Sequence, residues 1–263
     1  MGGLNAAGAA GGIETVLRKD RWLAVLGLGA VVVLSWLYLW YSAAAMDHAG
    51  MAMESMPRAT DATALLLTFV MWTVMMAGMM LPSAAPTIIM YGTLVRKNGA
   101  VGKVLPGVWV FAGGYLVMWT VFSIAATLLQ AGLAYASLLT PAMATASAGL
   151  GAVTLIAAGV YQLTPWKDAC LGKCRNPLQF FMTRWREGTG GAFRMGLEHG
   201  GWCVGCCWAL MLLLFVAGVM NLVWVALIAA FVFVEKVFPG ARFVTRASSA
   251  ALILAGLFLL TRI

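Results

Sequence analysis

The sequence predicts an all-α, polytopic membrane helix bundle. Three observations predict it. Hydrophobic residues make up 62% of the 263 and charged ones only 10%, where a soluble domain carries roughly a quarter charged. Mean hydropathy is +0.91. The apolar residues also fall into runs of roughly 17 to 25, the length that crosses a hydrocarbon core as helix. A net charge of +8 would suggest nucleic acid in a soluble protein. In a membrane protein it belongs to cytoplasmic loops, so no nucleic-acid partner is expected.

Taken in order, residues 1–20 read as a flexible cytoplasmic N-terminal tail and 21–263 as a single transmembrane helical domain. Arg18, Lys19 and Arg21 precede an apolar run over 22–41. That run is longer than the core of a signal peptide, so it reads as a first span with the N-terminus held in the cytoplasm. Further runs over 62–82, 104–130, 142–163, 202–219, 222–238 and 247–262 bring the total to about seven spans. The connectors alternate as the positive-inside rule requires. Asp47, Glu54 and Asp61 put 43–61 in the periplasm, whereas Arg96, Lys97 and Lys103 put the second connector in the cytoplasm. Lys167, Lys173, Arg175, Arg184, Arg186 and Arg194 do the same for the fourth, and Lys236, Arg242 and Arg246 for the sixth. The fifth is a tight turn at Val219-Met220-Asn221, where one bent span is hardest to tell from two.

The fourth connector is long enough to hold structure. Leu178, Phe181, Met182 and Trp185 recur at i, i+3, i+4, i+7 beside Arg184 and Arg186, the pattern of an amphipathic helix in the membrane interface. Gly188-Thr189-Gly190-Gly191 then reads as a break ahead of the next span.

Chemistry concentrates in soft donors, with 17 Met and 5 Cys. An odd number of cysteines argues against a plain disulfide framework. In the stretch Glu198 to Met211, a helix puts His199, Cys203 and Cys206 at i, i+4, i+7, with Cys207 one turn from Cys203. Thiolates and an imidazole on one face suit a soft metal. The alternative is that these cysteines act as small hydrophobes in a close helix contact, which Gly201 and Gly205 would favour. Cys170 and Cys174 share a face if helical, on the same cytoplasmic side, where thiols stay reduced; inert loop thiols are the competing reading.

In the first loop, Met46, His48, Met51 and Met53 gather thioethers and an imidazole in a form that suits Cu(I), against the alternative of an ordinary flexible loop. In the second run, Met75, Met76, Met79 and Met80 form two overlapping Met-x-x-x-Met pairs. They resemble the pore motif of eukaryotic copper transporters, whose fold differs, and core packing is the stronger reading of the two. Pro82 and Pro86 are expected to end or kink that helix. Glu235 lies within an apolar span, where an ionisable group is read as functional. It is placed as a support accepting from His199 or as half of an interfacial salt bridge, with Lys236 snorkelling to the interface and Glu198 as a further supporting carboxylate.

The segments Met75–Pro86, Tyr161–Lys167, Arg194–Gly200 and Cys203–Met211 resemble a bacterial domain-of-unknown-function family described as predicted metal-binding integral membrane proteins. The resemblance spans roughly residues 65 to 240 and implies a multi-pass protein of the bacterial inner membrane that binds metal. The functional expectation is a metal-binding protein that handles or transfers copper, or another soft metal, through its Met-rich and Cys/His sites. An accessory or assembly subunit of a larger membrane complex is the alternative, and a quinone-linked thiol oxidoreductase ranks third. No catalytic residue is assigned, and the reading leans away from an enzyme. The partners it admits are membrane lipids, a periplasmic metallochaperone or a larger membrane complex.

Overall fold

The computed structural model describes the backbone of residues 3–49, 61–97, 104–140, 144–238, 240 and 242–262, and the side chains of 21–45, 61–96, 104–140, 144–238, 240 and 243–262. These residues form α1 (Gly3–Ala49), α2 (Ala62–Lys97), α3 (Val104–Tyr135), α4 (Ala148–Gln162), α5 (Pro165–Arg175), α6 (Pro177–Arg184), α7 (Gly188–Ala217), α8 (Leu222–Val237) and α9 (Arg242–Leu260).

Five helical stretches among the described residues are long and apolar enough to cross a membrane: Arg21–Ala45, Ala62–Arg96, Val104–Tyr135, Gly188–Ala217 and Phe243–Leu260. The other two expected spans correspond to short helices. α8 has 16 residues, about 24 Å at 1.5 Å per residue, short of a hydrocarbon core of roughly 30 Å. α4 is followed by α5 after a 63° bend, and the pair is long enough to count as a sixth span only if taken together. Thr164 makes the corner, accepting from the Lys167 N–H at 3.3 Å as the N-cap of α5. Pro165 then opens the new helix, at a position where its missing N–H loses no bond.

The helices pack in series: α1 on α2, α2 on α3, α3 on α7, α7 on α4 and α4 on α9, with α5 laid on α7 and α8 reaching both α2 and α7. Position in that series decides burial. Half of the most apolar window of α7 is buried, against 17% in α9. Leu26, Leu34 and Trp40 on α1 and Leu254 and Phe258 on α9 face outward, as lipid-facing side chains do.

Glycines set the closest approach. A Cβ at Gly196 would collide with the Phe111 carbonyl oxygen, one at Gly114 with that of Phe193, and one at Gly200 would stand 2.9 Å from the Tyr115 oxygen. Backbones approach this closely only where side chains vanish, so α3 and α7 cross through Gly114, Gly196 and Gly200.

Three local expectations are corrected. The Gly188–Gly191 stretch starts α7 instead of breaking the chain: Gly188, at φ 76°, turns the chain into the helix, a conformation glycine adopts without steric penalty. Gly200 and Gly201 do not interrupt it. Pro82 and Pro86 lie inside α2, which runs on to Lys97. The expected interfacial helix exists as α6, but its apolar face is divided. Phe180 and Phe181 are buried against the bundle while Leu178 and Met182 are exposed. The turn at 219–221 is present, closed by Asn221 N–H donating to the Gly218 oxygen at 3.0 Å, and Asn221 caps α8.

Candidate metal centre

Because α7 begins at Gly188, the thiols sit near the middle of a long helix and not at the mouth of a short one. His199, Cys203, Cys206 and Cys207 are all buried, as the helical spacing requires of one inward face. Cys206 and Cys207 turn their thiols along their own helix and donate to the Cys203 carbonyl oxygen at 3.1 and 2.9 Å. Cys203 faces across the bundle. Its Sγ lies 2.8 Å from Lys236 Nζ on α8 and 3.0 Å from the Tyr115 hydroxyl on α3.

Tyr115 is also 3.2 Å from the Met80 carbonyl oxygen. A phenol has one proton, so it either donates to Met80 and accepts from the Cys203 thiol, or donates to Cys203. Lys236 Nζ reaches Ser83 Oγ as well, at 3.3 Å. Met80 and Ser83 of α2, Tyr115 of α3, Cys203 of α7 and Lys236 of α8 thus form one continuous polar cluster. Its neighbours along α2 are the thioethers of Met71, Met75, Met76 and Met79, all at most 5% exposed.

The remaining cysteines come in from α5. Cys174 is buried and lies near the Cys206 thiol. Cys170 packs on Gly205, where an added Cβ would stand 2.9 Å from its Sγ, and Tyr161 donates to the Gly205 carbonyl oxygen. The fold therefore brings thiols of the fourth connector onto those of α7. All five cysteines are free.

His199 stacks among Phe111, Tyr115 and Phe180, and its buried Nδ1 has no hydrogen-bond partner among the described residues. Glu235 does not serve it. The Glu235 carboxylate is held by Lys167 Nζ at 2.6 Å and Thr245 Oγ1 at 2.7 Å. That salt bridge is fully buried, 0% and 1% exposed. Glu198 points toward Arg184, Arg186 and Arg194, at 3.9, 3.6 and 3.8 Å.

Met46 and His48 fall within the backbone span of α1, where a loop was expected. Met51 and Met53 lie outside the described residues. The residues that sequence reasoning missed are Tyr115, Lys167 and Lys236. The two lysines sit next to helix ends and were read as loop or snorkelling cations, yet both are buried. A run of apolar neighbours around Lys236 was the only signal.

Among the described residues no three His, Cys, Asp or Glu side chains converge as a ready-made metal cage. The donor set is nevertheless that of a soft monovalent ion: buried thioethers, buried thiols and an imidazole nitrogen with no other partner. The family described as PpoB2, copper chaperone, matches residues 69–259. The chain belongs to that copper chaperone family. The match takes in α2 from Phe69 onward, the α2 methionines from Met71, and all five cysteines, and leaves the first-loop segment from Met46 to Met53 outside it. The resemblance drawn from the sequence is thereby narrowed to a copper-related family. No curated protein and no solved structure matches the chain.

Proposed function

We propose that this chain is a multi-pass protein of the bacterial inner membrane, N-terminus in the cytoplasm, that relays copper(I) between thioethers and thiols inside its bundle. The observation that carries the reading is Tyr115, whose hydroxyl lies 3.2 Å from the Met80 carbonyl oxygen and 3.0 Å from Cys203 Sγ. The Met-bearing stretch of α2 and the thiol face of α7 thus border one buried polar cluster, and the relay places the thioether-to-thiol step across it. Met71, Met75, Met76, Met79 and Met80 are the thioether side. Cys203, Cys206 and Cys207, with Cys174 and His199 beside them, are the thiol side, and Met46, His48, Met51 and Met53 collect the ion on the outer face.

Each α7 thiol has a partner, Cys203 in Lys236 and Tyr115, the other two in a carbonyl of their own helix. Rotation about one short side-chain bond releases them toward an ion. A copper(I) dithiolate carries one negative charge, which is unfavourable in an apolar interior unless paired, and the Lys236 ammonium supplies the pairing charge. Membership of a chaperone family agrees with exchange to a copper-handling partner.

Anaerobic titration of the purified protein with Cu(I) against a competing chelator tests the reading. The wild type is expected to hold copper tightly, and a variant with Cys203, Cys206 and Cys207 all changed to Ser to lose that site. Unchanged stoichiometry and affinity in the triple variant would remove the thiols from the role.

A further inference from the structure

A pocket of about 340 Å³ lies between α5 and the last turn of α8, walled by Asp168, Gly172, Arg175, Asn176 and Lys236 among others. Two larger hollows, one between α1 and α8 and one on α4, have apolar walls. This one is different in kind. Lys236 is at once part of its wall and 2.8 Å from Cys203 Sγ, so the pocket and the thiols share this side chain.

The second cation of the wall is held in place and has an unused donor. Arg175 Nε donates to the Glu235 carbonyl oxygen at 2.8 Å, which anchors the guanidinium to the same turn that carries Lys236. Its Nη2 is buried with no acceptor among the described residues. An unmet buried guanidinium nitrogen is unfavourable and points to an anionic or carbonyl-bearing ligand. Asp168 is the one carboxylate in the wall, and it is exposed.

We propose that this pocket is the port of the thiol cluster and that it accepts copper(I) as an anionic complex of a small thiol. The inference rests on the copper-relay reading and adds an entrance at its thiol end, besides the outer-face methionines. A bare copper cation entering here meets two positive side chains before it meets a thiol, and like charges repel. A complex of one copper(I) and two thiolates carries one negative charge and is drawn to the same two groups. Delivery is then ligand exchange without redox change. Two protein thiols replace two carrier thiolates on copper, both protons pass to the departing carriers, and the metal stays copper(I) with one net negative charge before and after. Lys236 stays beside that charge throughout.

The test compares donors. Copper(I) is presented to purified protein either as its anionic glutathione complex or as its cationic acetonitrile complex, and uptake is followed by stopped flow. Equilibrium stoichiometry is measured separately with a chelator. Arg175→Gln is expected to slow uptake from the anionic donor by about tenfold, the lower end of electrostatic steering, with Arg175→Lys restoring most of the rate. Uptake from the cationic donor is expected to rise in Arg175→Gln, where one repelling charge is gone, and the final stoichiometry to stay unchanged in both variants. Gly172→Phe projects into open pocket, since no atom lies within 4 Å of its added Cβ, and is expected to slow both donors. Equal effects of Arg175→Gln on both donors, or normal uptake through Gly172→Phe, would overturn the port. Absence of a tight site in the wild type would instead overturn the relay reading itself, and the port with it.

Discussion

The bundle contains two helix crossings built the same way and used differently. α3 meets α7 through Gly114, Gly196 and Gly200, while α4 meets α9 through Gly159 and Gly256, where an added Cβ would stand 3.0 Å from the Ser249 oxygen and 2.8 Å from the Ala152 oxygen respectively. Both bring backbones together by deleting side chains, the usual route where lipid removes any hydrophobic drive between helices. The α4–α9 crossing adds only Ser249, whose hydroxyl donates to the Gly159 oxygen at 2.6 Å. The α3–α7 crossing carries Tyr115, His199 and Cys203 on the same faces. Close packing is thus common to both. What distinguishes the candidate site is the donors that packing holds in place, and small-residue spacing alone would have flagged the wrong half of the molecule equally well.

The largest effect is expected where the two halves are tied. Glu235 on α8 joins Lys167 on α5 to Thr245 on α9. Glu235→Leu leaves the Lys167 ammonium buried and unpaired, with an expected loss of about 3–5 kcal/mol in thermal unfolding of the purified protein. The double change Lys167→Met with Glu235→Leu should recover most of that loss; no recovery would mean the pair does more than neutralise charge. Next comes the contrast between crossings. Gly196→Ala forces a methyl into the Phe111 carbonyl and should lower stability by about 3 kcal/mol together with copper retention. Gly256→Ala, whose nearest contact is the movable Ile156 side chain at 2.6 Å, should cost about 1–2 kcal/mol and leave copper binding intact. Equal copper loss in both would erase the distinction drawn here. The smallest effect is a gain. Gly113 is next to Gly114 but has open space around its Cβ position, so Gly113→Ala should stabilise the protein by about 0.5–1 kcal/mol.

Much of this arrangement was legible before any coordinates. The thiol face of α7 follows from the i, i+4, i+7 spacing of His199, Cys203 and Cys206, and all three prove buried. The methionines at 75, 76, 79 and 80 occupy two sides of α2, and every one is buried, because α1, α3 and α8 all pack on that helix. The length of α7 was misjudged because Arg194 and Glu198 lower its hydropathy, although Glu198 is matched by three arginines and the helix continues through them. The end of α4 was legible, because the apolar run over 142–163 stops at Thr164 and Pro165; the 63° turn into α5 was not, because it is a property of the corner.

By itself the sequence determined the helical class and the soft donors with their faces, since helical periodicity and composition are local quantities; of the seven expected spans, five are long and apolar enough by themselves. It left open which faces meet. Only the tertiary structure decided that Cys174 lies against Cys206, that Lys236 rests on Cys203 and that Glu235 belongs to Lys167 and not to His199. A buried lysine and a snorkelling one have the same neighbours in sequence. What separates them is whether other helices close over the ammonium, and here Ser83 of α2 and Cys203 of α7 do so.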